Sequence, residues 1–80
     1  MENTPTSEQI QGHIRAAFDS VNLISEVLNK TSTEDNKKNV KRNYQHLELM
    51  LSKTWFAQAL TEQQDIDINN AITSGKTYAE

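Results

Sequence analysis

Apolar residues recur along the first third of the chain in alternating steps of four and three. The stripe consists of Ile10, Ile14, Ala17, Val21, Ile24 and Leu28, and it is widened by Phe18, Leu23 and Val27. Steps of this size place side chains on one face of an α-helix. Thr6 and Gln9 have the spacing of a capping box, which marks a helix start. The pattern predicts a first helix over roughly residues 6–29.

A polar segment, residues 29–33, separates this stripe from a second one. This segment contains three candidate helix caps, and Thr31 with Glu34 repeats the capping-box spacing. Apolar side chains then follow in steps of four, three and four, at Val40, Tyr44, Leu47 and Leu51, and Leu49 and Met50 broaden the later half of this stripe. Two amphipathic helices joined by a short loop pack as antiparallel neighbours. The first two stripes therefore predict a helical hairpin.

The second stripe loses its register near Ser52. Trp55 and Phe56 are adjacent in the sequence, so both rings cannot lie on the same helix face. We expect a break here, with Thr54 capping a short new helix that carries the two rings. The alternative is a single kinked helix that continues through Leu60.

A last helix is predicted after a third capping-box spacing, formed by Thr61 and Gln64. Ile68, Ala71, Ile72 and Gly75 follow at helical spacing. Glycine is the commonest residue just beyond a helix C-terminus, so Gly75 is predicted to end this helix. Tyr78 would then fold back as a hydrophobic anchor.

These elements define the predicted fold, which is all-α and forms one domain over residues 1–80. It is a long antiparallel hairpin with a short third helix across its open side, a three-helix bundle. The alternative is an open hairpin that dimerises into a four-helix bundle. Only 35% of the 80 residues are hydrophobic. A chain this short with so few apolar residues has a thin core, which favours association with a protein partner or with itself.

The candidate partner-binding residues are the bulky apolar groups of the second half: Trp55, Phe56, Leu60 and Tyr78. One ring of the Trp55–Phe56 pair is expected to fill the core, and the other to face elsewhere. Tryptophan is the residue most enriched at binding hot spots. The sequence therefore predicts a contact surface around these rings.

A basic patch on the middle helix supports a second hypothesis, nucleic-acid binding. The patch consists of Lys37, Lys38, Lys41 and Arg42. However, Glu34, Asp35 and Glu48 flank it, and the formal net charge of the chain is −3. A solvated helix face is the simpler interpretation, so nucleic acid is kept as the alternative partner.

The sequence contains no residue pattern typical of a catalytic, metal or cofactor site. The chain has no cysteine, and neither His13 nor His46 has a metal-ligand partner at helical spacing. Residues 65–69 resemble the start of a calcium loop, but its sixth position is Asn70 and its twelfth is Lys76. No catalytic or nucleotide-binding motif is present. We expect no enzymatic activity, no cofactor, no metal and no small-molecule substrate.

Nothing in the sequence predicts a membrane segment or an export signal. Residues 1–7 lack a basic region followed by an apolar one. No apolar run approaches the roughly 20 residues that span a bilayer. We expect a soluble protein with no membrane partner.

The second half of the chain resembles a known group of proteins. The segments that carry the resemblance are residues 43–51 (NYQHLELML), Trp55–Phe56, residues 67–72 (DINNAI) and residues 75–78 (GKTY). Together they resemble small uncharacterised helical proteins of tailed bacteriophages, of the marine and cyanobacterial phage type, over roughly residues 40–79. The resemblance to this group implies no activity, cofactor or site residue for this chain. The resemblance implies a phage-encoded structural or accessory protein that acts in the virion or on a host protein, in the particle or the host cytoplasm.

Overall fold

The computed structural model describes residues 4–80, which form four α-helices joined by short turns. The helices span Ser7–Val27 (α1), Glu34–Leu51 (α2), Thr54–Ala59 (α3) and Glu62–Ala79 (α4). No strand occurs within the described residues, so the all-α prediction is confirmed. The arrangement differs from the predicted one in its last part. The final helix is as long as the second, 18 residues each, and the short helix is α3.

Capping boxes start two of the long helices where the sequence predicted them. The Thr6 hydroxyl accepts a hydrogen bond from the Gln9 amide (3.2 Å), and the Gln9 side chain accepts one from the Thr6 amide (3.0 Å). Thr61 and Gln64 make the same reciprocal pair at the start of α4 (3.1 and 2.9 Å). Each box satisfies amides that have no partner inside the helix. The first helix ends at Val27, somewhat before the predicted residue 29.

The start of α2 lies two residues beyond its predicted cap. Thr33, not Thr31, is the N-cap, and its hydroxyl accepts a hydrogen bond from the Asn36 amide at 3.2 Å. The carbonyl of Thr31 instead accepts from the Asn36 side chain at 2.8 Å. Several adjacent threonines and serines could cap by spacing alone, and the path of the loop selects among them.

The predicted break near Ser52 is confirmed, but the predicted cap at Thr54 was wrong. Ser52 is the C-cap of α2, and Lys53 is the N-cap of α3 with an extended backbone (ψ 115°). Thr54 is already the first residue of α3. The Lys53 carbonyl accepts hydrogen bonds from the amides of Phe56 and Ala57, both at 3.0 Å. Backbone groups alone therefore start this short helix.

Gly75 does not end the last helix, so that prediction was wrong. The helix continues through Ala79, and Gly75 is buried where α4 faces α2. A Cβ atom at this position would lie 3.1 Å from Val40 Cγ1 and 3.3 Å from Tyr44 Cδ2. The missing side chain lets the two helices approach closely. Tyr78 accordingly stays on the helix and does not fold back.

One hydrophobic core lies between α1, α2 and α4, and α3 closes one end of it. Its buried members are Ile14, Ala17, Ile24, Val27, Val40, Leu47, Met50, Phe56, Ile68, Ala71 and Ile72. The short loop over residues 28–33 places the end of α1 next to the start of α2. Tyr78, near the end of α4, hydrogen-bonds to Lys30 and Thr31 just ahead of α2, and Gly75 faces Val40 in the first half of α2. These connections give the helix directions. They make α2 antiparallel to both of its long neighbours, and α1 and α4 parallel to each other. The groove between α1 and α4 is therefore opposite the outer face of α2.

The two glycines of the chain give a matched test of this packing. Gly12 is exposed, and a Cβ there would meet nothing within 4 Å. We expect Gly12→Ala to stabilise the protein by about 0.5–1 kcal/mol, because alanine is the better helix former. Gly75→Ala gains the same propensity but crowds the interface, and overpacking costs about 1–3 kcal/mol. We therefore expect it to lower stability in urea unfolding. Equal stabilisation by both substitutions would contradict a close α2–α4 contact.

Candidate interaction surfaces

The aromatic pair at the helix break is divided between core and surface. Phe56 is fully buried (0% exposed), whereas Trp55 is only partly buried. Their ring centroids are 6.2 Å apart in an edge-to-face arrangement. The expectation that one ring fills the core and the other faces elsewhere agrees with this geometry. Phe56 belongs to the interior, so it cannot serve as the partner-binding residue expected for it while α3 stays folded.

Trp55 lies against the first helix. The His13 imidazole packs on the indole with ring centroids 5.3 Å apart and planes inclined by 52°. His13 itself is exposed. The contact ties α3 to α1 and covers part of the indole, so only the remaining edge of Trp55 is available to another molecule.

The other two predicted partner-binding residues do not join this cluster as a set. Leu60 is half-buried at the end of α3, close in sequence to the rings. Tyr78 is at the far end of α4, about 25 Å away along a helix that rises 1.5 Å per residue. Its hydroxyl donates to the carbonyls of Lys30 (3.1 Å) and Thr31 (2.8 Å). Tyr78 thus fastens the end of α4 to the α1–α2 loop.

A groove opens between α1 and α4. It has a volume of about 400 Å³ and is open to solvent. Its floor and walls are Phe18, Val21, Ile24, Leu28 and Ala71, and its rims carry Asn22, Ser25, Asp67, Asn70 and Ser74. Phe18, Val21 and Leu28 are only partly buried. Short polar side chains cannot cover these apolar groups, so the groove stays open.

The rims of this groove are nearly free of charge. Asp67 is the single charged residue among those that line it. Its carboxylate accepts a hydrogen bond from Gln63 (2.8 Å), and within residues 4–80 no basic side chain pairs with it. Depletion of charged residues is a mark of the central part of protein–protein interfaces. The helices that form the groove are acidic, however: α1 and α4 each have three carboxylates against one basic residue.

Three of the four residues of the predicted basic patch border one groove. Lys37, Lys38 and Lys41 line a second groove of about 390 Å³ near the end of α4. Glu34 and Glu80 line the same groove, so its charge is mixed. Arg42 does not border it. The structure therefore brings three of the four predicted residues together, beside two carboxylates.

A serine and a histidine meet where α1 packs on α2. Ser20 Oγ and His46 Nδ1 are 3.0 Å apart, and Ser20 is 7% exposed. Nucleophilic catalysis would need a third group to orient the imidazole and donors for an oxyanion. Within the described residues no carboxylate is hydrogen-bonded to His46. The hydrogen bond satisfies two polar groups in a mostly apolar contact. No local sequence pattern predicts it, because the two residues are 26 positions apart.

Lys76 links α4 to α2 at the surface. Its ammonium group is 2.9 Å from a Glu48 carboxylate oxygen and 5.9 Å from the centre of the Tyr44 ring. The hydrogen bond from Lys76 to Glu48, together with the negative charge of that carboxylate, raises the pKa of Lys76 above its ordinary value. The Lys76 ammonium therefore stays charged throughout the neutral range, although an exposed ion pair of this kind stabilises a fold only slightly.

No metal centre or membrane-spanning helix is found in the part of the chain that the structure describes. No three histidine or acidic side chains of residues 4–80 come together as ligands. None of the four helices is long and apolar enough to cross a bilayer. Comparisons with known protein families, curated proteins and solved structures found no match to this chain.

Sequence reasoning missed the α1–α4 groove. Phe18, Val21 and Leu28 belong to the first stripe, and periodicity alone cannot tell a fully covered position from one at an open edge. The polar residues that leave the groove open, Ser25 and Asn70 among them, are ordinary surface residues in the sequence. A signal existed only in the scarcity of charge along the matching faces of α1 and α4.

The different environments of the two adjacent rings lead to a prediction. Phe56→Ala removes a fully buried ring, so we expect a loss of about 3–5 kcal/mol in the free energy of unfolding. Trp55→Ala removes a partly exposed ring and should cost clearly less. Chemical unfolding followed by circular dichroism would measure both changes. A larger loss for Trp55→Ala would show that the indole, not the phenyl ring, is the main core residue at this end.

Proposed function

We propose that this protein is a non-enzymatic protein-interaction module whose contact surface is the groove between α1 and α4. The observation that carries the proposal is the open, apolar groove bounded by Phe18, Val21 and Leu28, whose rims carry short polar side chains and the single charge of Asp67. A helix or loop of another protein could bury these groups. Grooves between helices are a recurrent docking place for amphipathic helices.

The setting we propose is a tailed bacteriophage, where the protein would be a structural or accessory component, in the particle or in the host cytoplasm. The resemblance over roughly residues 40–79 supports this setting. The fold agrees with such a role, since a small helical bundle with one open apolar face can add to an assembly or cover a site on a host protein. The partner-binding role predicted for Trp55 and Leu60 stays a secondary proposal, because both are partly exposed at the α3 end.

A pair of neighbouring asparagines tests the groove. Asn70 lines it, whereas Asn69 lies on another face of α4 and donates to Asp65. We expect Asn70→Arg to block the groove with a long charged side chain and to weaken partner binding by at least about tenfold, as for a central contact. Asn69→Arg is the matched control and should bind as the wild type does.

The measurement uses the immobilised protein and its two variants in lysate of a phage host, with and without infection. Every protein that is retained is then purified and titrated against the three forms. A partner that loses affinity only for Asn70→Arg supports the proposal. Partners that bind all three forms equally would show that the groove is not the contact surface.

A second candidate function, nucleic-acid binding, is supported by the three lysines that share the groove beside Ala79. Changing Lys37, Lys38 and Lys41 together to glutamine should abolish any such binding. It should also remove its steep dependence on salt, which comes from release of counterions. Fluorescence anisotropy with labelled DNA and RNA at several salt concentrations would measure both effects. Binding that persists in the triple variant would exclude this surface.

A further inference from the structure

The proposed function does not specify which molecule binds in the α1–α4 groove. The outer face of α2 has features that fit this groove. Lys38, Arg42, Gln45 and Leu49 follow one another in steps of four, three and four, so they form one ridge, and all four are exposed. The buried residues of α2, Val40 and Leu47, lie on the other side of the helix. This ridge, which we call the α2 ridge, therefore points directly away from the bundle.

Leu49 is the most exposed large apolar residue that the structure describes, at 57%. Isolated exposed leucines are common on protein surfaces. This one differs by its neighbours, since basic side chains precede it on the ridge and none of the four ridge residues is acidic. The ridge thus presents one apolar knob, Leu49, with Arg42 and Lys38 about 10 and 16 Å nearer the start of the helix at a rise of 1.5 Å per residue.

The α1–α4 groove has the complementary properties. It is an apolar depression with room for a leucine side chain, and Asp67 on its rim lacks a basic partner within residues 4–80. Asp67 is the only charged side chain that lines the groove, and the other carboxylates of α1 and α4 lie on other faces of these helices. Opposite charges on two surfaces steer them together and fix their orientation.

We infer that the groove binds the α2 ridge of a second copy of this chain, with Leu49 inserted between α1 and α4. This inference rests on the proposed function, because it names the partner of the same groove. Lys38 or Arg42 of the incoming copy would lie near the Asp67 carboxylate. The contact combines one buried leucine with charge pairing, so it belongs to the weak class of interfaces.

The positions of the two surfaces determine the kind of assembly. The ridge and the groove are on opposite sides of the bundle, so one pair of molecules cannot use both surfaces of each at once. A contact between unlike surfaces is heterologous, and it generates a ring or an open chain of subunits rather than a symmetric dimer. Each added copy leaves one free groove and one free ridge.

Two variants separate this assembly from a symmetric one. Leu49→Gln removes the knob and keeps the groove, whereas Asn70→Arg blocks the groove and keeps the knob. Sedimentation velocity at millimolar protein and low salt should show the wild type in species larger than a dimer. Each variant alone should be monomeric. Their equimolar mixture should form a dimer, because one intact ridge meets one intact groove and growth then stops.

The control variants carry the same types of substitution at positions outside both surfaces. Leu23→Gln removes a second exposed leucine (39% exposed) that belongs to neither surface, and Asn69→Arg adds the same charge on another face of α4. Both should assemble as the wild type does. High salt should weaken assembly, because it screens the charge pairing.

Several results would overturn the inference. A wild-type protein that stays monomeric under these conditions would do so, as would assembly of Leu49→Gln alone or a mixture that stays monomeric. These failures are distinct from failure of the proposed function. A monomeric protein whose purified partners still lose affinity only for Asn70→Arg would retain the groove as its interaction surface and exclude a second copy as its occupant.

Discussion

Burial of the apolar stripes of α1, α2 and α4 against one another is the interaction on which the rest of this structure depends. Ile24, Leu47 and Ile68 are fully buried, one from each long helix. Apolar area removed from water is the main favourable contribution to folding. Because only 35% of the residues are hydrophobic, the chain has few apolar side chains beyond those that the core needs. Close packing at each contact is therefore a condition for stability.

Two local features make that packing possible. Gly75 removes a side chain where α4 crosses Val40 and Tyr44, so the backbones approach closely. The turn at Ser52 and Lys53 ends α2 and redirects the chain, which lets Phe56 cover the open end of the core. A helix continuing straight beyond Leu51 would place the phenyl ring outside the bundle. A missing side chain at Gly75 and an interruption of the helical backbone at Ser52 and Lys53 thus complete a thin core.

The small number of large apolar side chains also explains the open groove. Along the facing edges of α1 and α4, Ser25 and Asn70 occupy positions where larger apolar side chains would complete the seal. Phe18 and Leu28 are left partly exposed as a result. The outer face of α2 has the converse property, an exposed Leu49 on a ridge that also carries Lys38 and Arg42. A molecule with a depression on one side and a knob on the other is suited to contacts outside itself, and this is why the proposals concern association rather than catalysis.

The sequence by itself determined the helices, their starts to within about two residues, and the break at Ser52 ahead of the two rings. These features depend on neighbours within about four positions, and capping by Thr6 and Thr61 is local in the same sense. Only the tertiary structure decided that Gly75 packs inside a helix instead of ending it, that Phe56 and not Trp55 is buried, and that Ser20 meets His46. Each depends on how distant helices approach one another, because the same residue has a different role when another helix lies against it. The groove also exists only between two helices, so no single stretch of the chain could predict it.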